Sequence, residues 1–160
     1  MIRIVLLAAT LLCGLAQAKP PNIVFFLVDD LGWRDVGCFG SPFYETPNID
    51  RLADEGVRFT NAYATCHVCS PTRASILTGQ YPARLGLTDW LTGRRDYPFQ
   101  KLQNVATAQT LPDGVSTIPG ELKKAGYATA IFGKWHIGEE PNGPTAHGFD
   151  LHVPKGWNKG

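Results

Sequence analysis

The sequence predicts an α/β protein with a mainly parallel sheet and helices on both of its faces. Three observations predict it: short runs of β-branched and aromatic residues, helix start and stop signals lying between those runs, and an ordinary globular composition. Of 160 residues, 44% are hydrophobic and 18% charged, which is enough material for about one domain core and excludes a disordered or fibrous chain. Fifteen Lys plus Arg against fourteen Asp plus Glu give a formal charge of +1. No basic excess exists to neutralise a nucleic-acid backbone, so no nucleic-acid partner is expected.

The chain opens with residues 1–18, MIRIVLLAATLLCGLAQA: an early Arg3, an apolar run from Ile4 to Cys13, and Ala16-Gln17-Ala18 as a small-x-small cleavage pattern. This is the form of a secretory signal peptide. The run is about half the roughly 20 apolar residues a spanning helix needs, so no membrane span is expected and the mature chain is read as secreted or periplasmic. Cleavage after Ala18 takes Arg3 and no acid, leaving fourteen basic and fourteen acidic side chains. Cys13 leaves with the leader, and Cys38, Cys66 and Cys69 enter an oxidising compartment as an odd set.

Next, Ile23 to Val28 is a continuous apolar run of the kind that fills a strand buried on both faces, and it stops at Asp29-Asp30. Thr46-Pro47 offers a cap and a first-turn proline, Ile49, Leu52 and Ala53 keep helical spacing, and Gly56 ends the helix. Val57 to Tyr63 alternates like a second strand. Ser70-Pro71 is another cap signal, opening a short helix that terminates at Gly79, with Cys69 just outside its N-terminus. Tyr81 to Asp113 has no clear period and reads as a long surface loop carrying Trp90, Arg94, Arg95 and Tyr97. Thr117 to Gly126 repeats the cap-to-glycine grammar, and Tyr127 to Phe132 reads as a buried strand leading into Gly133-Lys134-Trp135-His136. The proline- and glycine-rich tail from Glu139 onward shows no convincing terminal element. In a parallel sheet, ligands gather beyond the carboxyl ends of the strands, so Asp29-Asp30 and Lys134 to His136 are expected on one edge.

Those clusters suggest specific chemistry. Adjacent carboxylates at a strand end repel each other and lose hydration, costs that a hard divalent cation offsets, while a plain polar turn is the alternative reading of Asp29-Asp30. Cys66-His67-Val68-Cys69 has the spacing of a redox dithiol or half a zinc site, with a disulfide as the simplest alternative. A sulfur-bearing residue at a helix N-terminus faces free backbone N–H groups, and Arg73, four residues on, lies on the same helix side, where it can bind oxyanion oxygens. Lys134 offers a positive charge to an oxyanion and His136 a proton donor to a leaving group.

With these residues in hand, the sequence resembles the type I sulfatases of the alkaline-phosphatase superfamily. The match runs from Pro21-Asn22-Ile23-Val24 through Asp29-Asp30-Leu31-Gly32 and Thr46-Pro47-Asn48-Ile49-Asp50. Its two strongest pieces are Cys69-Ser70-Pro71-Thr72-Arg73-Ala74-Ser75-Ile76-Leu77-Thr78-Gly79 and Gly126-Tyr127-Ala128-Thr129 through Gly133-Lys134-Trp135-His136. The resemblance implies an alkaline-phosphatase-like fold, incomplete in this chain, with residues 19–160 as the N-terminal part of a sulfatase catalytic domain. It also implies that Cys69 is oxidised to formylglycine by a maturation enzyme. The aldehyde hydrate then attacks sulfur, one hydroxyl becoming sulfated and the other expelling sulfate. Asp29 and Asp30 would bind Ca2+ together with residue 69, Arg73 would stabilise the formylglycine, Lys134 would contact sulfate, and His136 would orient the hydrate and help release sulfate. The implied substrate is a sulfated small molecule or sulfated carbohydrate. The family's later Asp-Asn calcium ligands and a further histidine and lysine have no counterparts here, so the 160-residue chain alone is expected to be inactive or unstable. A phosphonate or phosphate ester hydrolase of the same superfamily is the rival enzyme reading, and a secreted non-catalytic domain with a Cys66–Cys69 disulfide is the rival from another class.

Overall fold

The structure, a computed structural model, describes residues 19–154. The leader assigned to residues 1–18 lies outside them. Helix α1 spans Pro47–Glu55, α2 Cys69–Thr78, α3 Pro82–Leu85 and α4 Ile118–Lys124. Strands β1, Ala130–Phe132, and β2, Leu151–Val153, pair in parallel with Ile131 opposite His152. Short 3-10 turns lie at Gly37–Phe39 and Pro144–His147.

Local sequence explains where the helices start and stop. Thr117 caps α4, its hydroxyl accepting the Gly120 N–H at 3.2 Å, with Pro119 in the first turn and Lys123 and Lys124 at the carboxyl end, where cations favour the helix dipole. Gly79 closes α2 at φ 68°, a left-handed conformation glycine adopts without cost, and its N–H returns to the Ser75 carbonyl. At α1 the expected cap residue does something else. The Thr46 hydroxyl accepts the Gly37 N–H at 2.8 Å and donates to Asp50 at 3.0 Å, while Asp50 accepts the Cys38 N–H, so α1 is clasped to the 3-10 turn before it.

The core lies where α2 meets the segment after β1. Ala74, Leu85, Leu87, Leu91, Leu111, Trp135 and Ile137 are buried together, with Leu77, Ile131 and Phe149 against them. Four of the seven come from 81–113, so that stretch is more than a surface loop: its leucines, spaced too irregularly to show a period, plug the space between α2 and Trp135. His147 stacks on Trp135 with ring centroids 5.6 Å apart. At Gly148, φ 102°, a Cβ would collide with the backbone of Gly120, so the tail packs directly on α4. The tail is therefore more structured than expected, because β2 and its preceding turn find partners in β1 and α4.

Three expectations about strands are corrected. Ile23 to Val28 and Val57 to Tyr63 form no strand, and their side chains are exposed, Phe26 at 82%. Tyr127 to Phe132 contributes only its last three residues, and Phe132 is exposed rather than buried. A strand exists only through its ladder, and among the described residues β1 and β2 alone supply each other with one. The sheet is parallel as expected but has two strands.

Candidate active site

Residues far apart in sequence converge at the N-terminus of α2. Cys69 is its first helical residue, not the one before it, and the residue preceding the helix is Val68, whose side chain makes no capping bond. The Cys69 Sγ lies 3.0 Å from His136 Nδ1. One turn further, Arg73 is buried and sends Nη1 to the Lys134 carbonyl at 2.8 Å and Nη2 to Asp29 at 3.3 Å. Lys134 Nζ meets the other oxygen of the same carboxylate at 2.6 Å. Thus Asp29, Cys69, Arg73, Lys134 and His136 share one site, as the sequence clusters suggested.

Two cations on one carboxylate set the electrostatics. Burial pushes the Asp29 carboxyl up, but the Lys134 hydrogen bond and the Arg73 and Lys134 charges outweigh it and hold it below the usual value. Burial chiefly pushes the His136 imidazole down, helped by the Lys134 and Arg73 charges and opposed by its bond to Leu91 and by Asp29. The tautomer follows from the partner. His136 Nε2 lies 2.9 Å from the Leu91 carbonyl oxygen, which can only accept, so Nε2 carries the proton and Nδ1 turns its lone pair toward residue 69.

The metal expectation is met only in part. Calcium takes about six to eight oxygen ligands, of which two carboxylates provide a minority. Asp29 is engaged by Arg73 and Lys134, Asp30 is exposed with φ 55°, and among the described residues no three His, Cys, Asp or Glu side chains gather in a metal-holding group. Asp29 and Asp30 have the hard oxygen chemistry calcium requires without forming its shell alone. Among the described residues no further His, Cys, Asp or Glu side chain joins Cys66 and Cys69 in a metal-holding group. Cys38, Cys66 and Cys69 are free thiols, which corrects the disulfide alternative: Cys69 faces His136, and Cys66 lies 3.9 Å from His67 Nδ1.

Two contributors escaped the sequence reading. Ser70, read as a cap, instead accepts the buried Leu91 N–H on its hydroxyl at 3.0 Å. Leu91 acts through its carbonyl, which every residue possesses, so no side-chain pattern announces it. Trp90, Arg94, Arg95 and Tyr97 are exposed in the same stretch, Arg94 paired with Asp89 at 3.2 Å and Tyr97 stacked on Phe99 at 5.3 Å.

An α/β frame thus gathers a thiol, an imidazole, two cations and a carboxylate at one helix N-terminus. The sulfatase family model matches residues 21–158, and the chain belongs to the sulfatase family. N-acetylgalactosamine-6-sulfatase of Homo sapiens is 46% identical over 134 residues, covering 82% of this chain and 25% of its own length. Arylsulfatase A of Bos taurus is 40% identical over 159 residues, covering 96% and 29%. The crystal structure of Ps i-CgsB in complex with k-i-k-neocarrahexaose superposes with a TM-score of 0.64 at 36% identity, over 80% of this chain and 27% of that one. A Bacteroides thetaiotaomicron protein described with that organism's metabolism of multiple glycosaminoglycans gives 0.63 at 37%, over 79% and 27%. The chain spans about a quarter of the length of the curated relatives it matches. Among the described residues no helix is long and apolar enough to cross a membrane.

Proposed function

We propose that this chain carries the nucleophile side of a sulfuric ester hydrolase that cleaves a sulfate monoester with formylglycine made from Cys69. The observation that carries the reading is the approach of Cys69 Sγ to His136 Nδ1 at 3.0 Å across 67 residues of sequence, beside the Arg73 and Lys134 cations. Formylglycine, as its hydrate, supplies an oxygen nucleophile at position 69. His136 Nδ1, with its lone pair facing that position, takes a proton from the group held there. Arg73, pinned by the Lys134 carbonyl and Asp29, directs charge-assisted N–H groups at sulfate oxygens, and Lys134 adds a second positive charge. Calcium, when bound, supplies a Lewis acid and a template, and Asp29, Asp30 and residue 69 are the residues of this chain that would contribute to its shell.

Two of these relatives, one named N-acetylgalactosamine-6-sulfatase and one crystallised with a neocarrahexaose, support a sulfated carbohydrate as substrate, while arylsulfatase A supports a sulfated small molecule. We assign the chain to a secreted or periplasmic compartment from the leader pattern of residues 1–18, and a formylglycine-generating enzyme as its maturation partner from Cys69-Ser70-Pro71-Thr72-Arg73. The test begins with mass spectrometry of the tryptic fragment Phe59 to Arg73 from a host that makes formylglycine. Conversion of CH2SH to CHO at residue 69 is the expected result, and an unmodified thiol in active protein overturns it. Turnover of matched aryl sulfate and aryl phosphate esters by the full-length protein then decides between sulfatase and the phosphate or phosphonate rival. Phosphate turnover faster by orders of magnitude selects the rival.

A further inference from the structure

We infer that Ser70 is a positioning residue for His136, acting through the backbone of Leu91. The inference rests on the function proposed above and extends it to a residue outside the charged cluster. One residue, Leu91, bridges two parts of the site: its N–H donates to Ser70 Oγ at 3.0 Å, and its carbonyl accepts from His136 Nε2 at 2.9 Å. Ser70 follows Cys69 directly on α2, so the imidazole is referenced to the same helical turn that carries the nucleophile. The Ser70–Leu91 bond is sheltered from water, which otherwise competes for it, since Ser70 is fully buried and Leu91 nearly so, and the Leu91–His136 bond is half-buried.

The arrangement has a chemical consequence. A neutral imidazole has two tautomers, and only the one protonated on Nε2 leaves Nδ1 able to accept a proton from residue 69. The Leu91 carbonyl selects that tautomer and fixes the ring plane, and the Ser70 hydroxyl holds the Leu91 backbone from moving away. The hydroxyl is not otherwise used as a cap, because α2 begins at Cys69 and its first-turn Thr72 N–H goes to the Val68 carbonyl. The proton transfer itself stays between residue 69 and Nδ1, and Ser70 exchanges no proton with substrate.

Two readouts on Ser70→Ala and Ser70→Thr test this. Alanine is smaller than serine and a better helix former, so the alanine variant keeps α2. The first readout needs no activity: ring nitrogen NMR of histidine-labelled protein made without the maturation enzyme, with His136 assigned by its loss in His136→Gln. The wild type shows the Nε2–H tautomer, Ser70→Ala adds the Nδ1–H form, and Ser70→Thr, which restores the hydroxyl, returns to the wild-type pattern. The second is kinetics of full-length matured protein, normalised to aldehyde content. Ser70→Ala lowers kcat by about tenfold to a hundredfold with KM for an aryl sulfate little changed, because ring misplacement affects the chemical step. Ser70→Thr recovers most of that loss. A wild-type tautomer and wild-type kcat in Ser70→Ala overturn the inference, as does a fall in kcat in both variants with the tautomer unaltered, which would mark Ser70 as packing only. An inactive wild type whose His136 tautomer still responds to Ser70→Ala overturns the proposed function while upholding the positioning.

Discussion

Residues 19–63 are richer in apolar side chains than residues 65–154, yet only the second region builds the main core. Phe25, Phe26, Val57 and Phe59 stand in solvent, whereas Trp135, Ile137, Leu87 and Leu111 are almost wholly buried. The difference is one of partners. The second region closes its contacts between α2, the leucines of 82–111 and the segment after β1, all within itself; Cys69, Arg73, Lys134 and His136 ride on that core, and Asp29 reaches them from the first region. Runs such as Ile23 to Val28 are strand sequences, and a strand gains its burial from neighbours distant in the chain.

The largest expected effect contrasts the two regions directly. Trp135→Ala empties the centre of the core, where the ring contacts His147 and Phe149, and should cost about 3–5 kcal/mol. Phe26→Ala removes an equally apolar ring from an exposed position and should stay within about 0.5 kcal/mol. Chemical denaturation of both variants checks this. Comparable losses would mean that the 23–28 run is packed in solution and would erase the contrast.

A second prediction asks, within the core region, whether the Lys134 charge acts through its position in the site. Lys134→Ala removes one of the two cations on Asp29 and should lower kcat/KM for an aryl sulfate about a hundredfold in the full-length protein, the order found when one donor to a developing oxyanion is lost. The decisive comparison is with Lys101→Ala, an exposed cation of the 81–113 stretch, which should leave turnover near wild type. If the two fall together, net charge rather than the Lys134 position drives the effect.

How much of this could be read in the sequence follows from how local each feature is. Helix boundaries depend on a few neighbouring residues, and Thr117, Pro119 and Gly79 announce theirs correctly. Asp29, Arg73, Lys134 and His136 were legible as chemical types beside strand or helix ends, and the fold brings them together. The strands were not legible as formed or unformed, because periodicity reports what a segment could bury and not whether a partner is present. Ser70 misled for a related reason: serine before a helical run resembles a cap, but its hydroxyl is taken by Leu91, 21 residues away. A backbone carbonyl such as that of Leu91 leaves no trace in residue type at all.

Thr117→Ala tests the legible kind of feature. The Thr117 hydroxyl accepts from Gly120 and donates to the His147 carbonyl at 2.7 Å, so its loss should cost about 1–2 kcal/mol. Thr117→Ser, which keeps the oxygen, should recover most of this in the same unfolding measurement. Equal losses in both would mean the methyl group, not the cap, is the stabilising element.

The smallest effect is one of pH and lies at Asp150, where the tail is fastened to Thr129 just before β1. Its carboxylate is paired with Lys123 at 2.6 Å and accepts the Thr129 N–H at 2.9 Å and hydroxyl at 3.1 Å, and these bonds draw its pKa down from 3.8 to about 2. A carboxyl with a depressed folded-state pKa binds protons more readily when unfolded, so its contribution is complete above the unfolded value near 3.8 and is lost as the pH falls toward about 2. Asp150→Asn keeps an oxygen for Thr129 but cannot titrate. Across that window the variant's urea midpoint should therefore fall less steeply with acid than the wild type's, while the two curves run parallel above it. Parallel curves throughout would mean that the Lys123–Asp150 pair is too exposed to couple the tail's attachment to protonation.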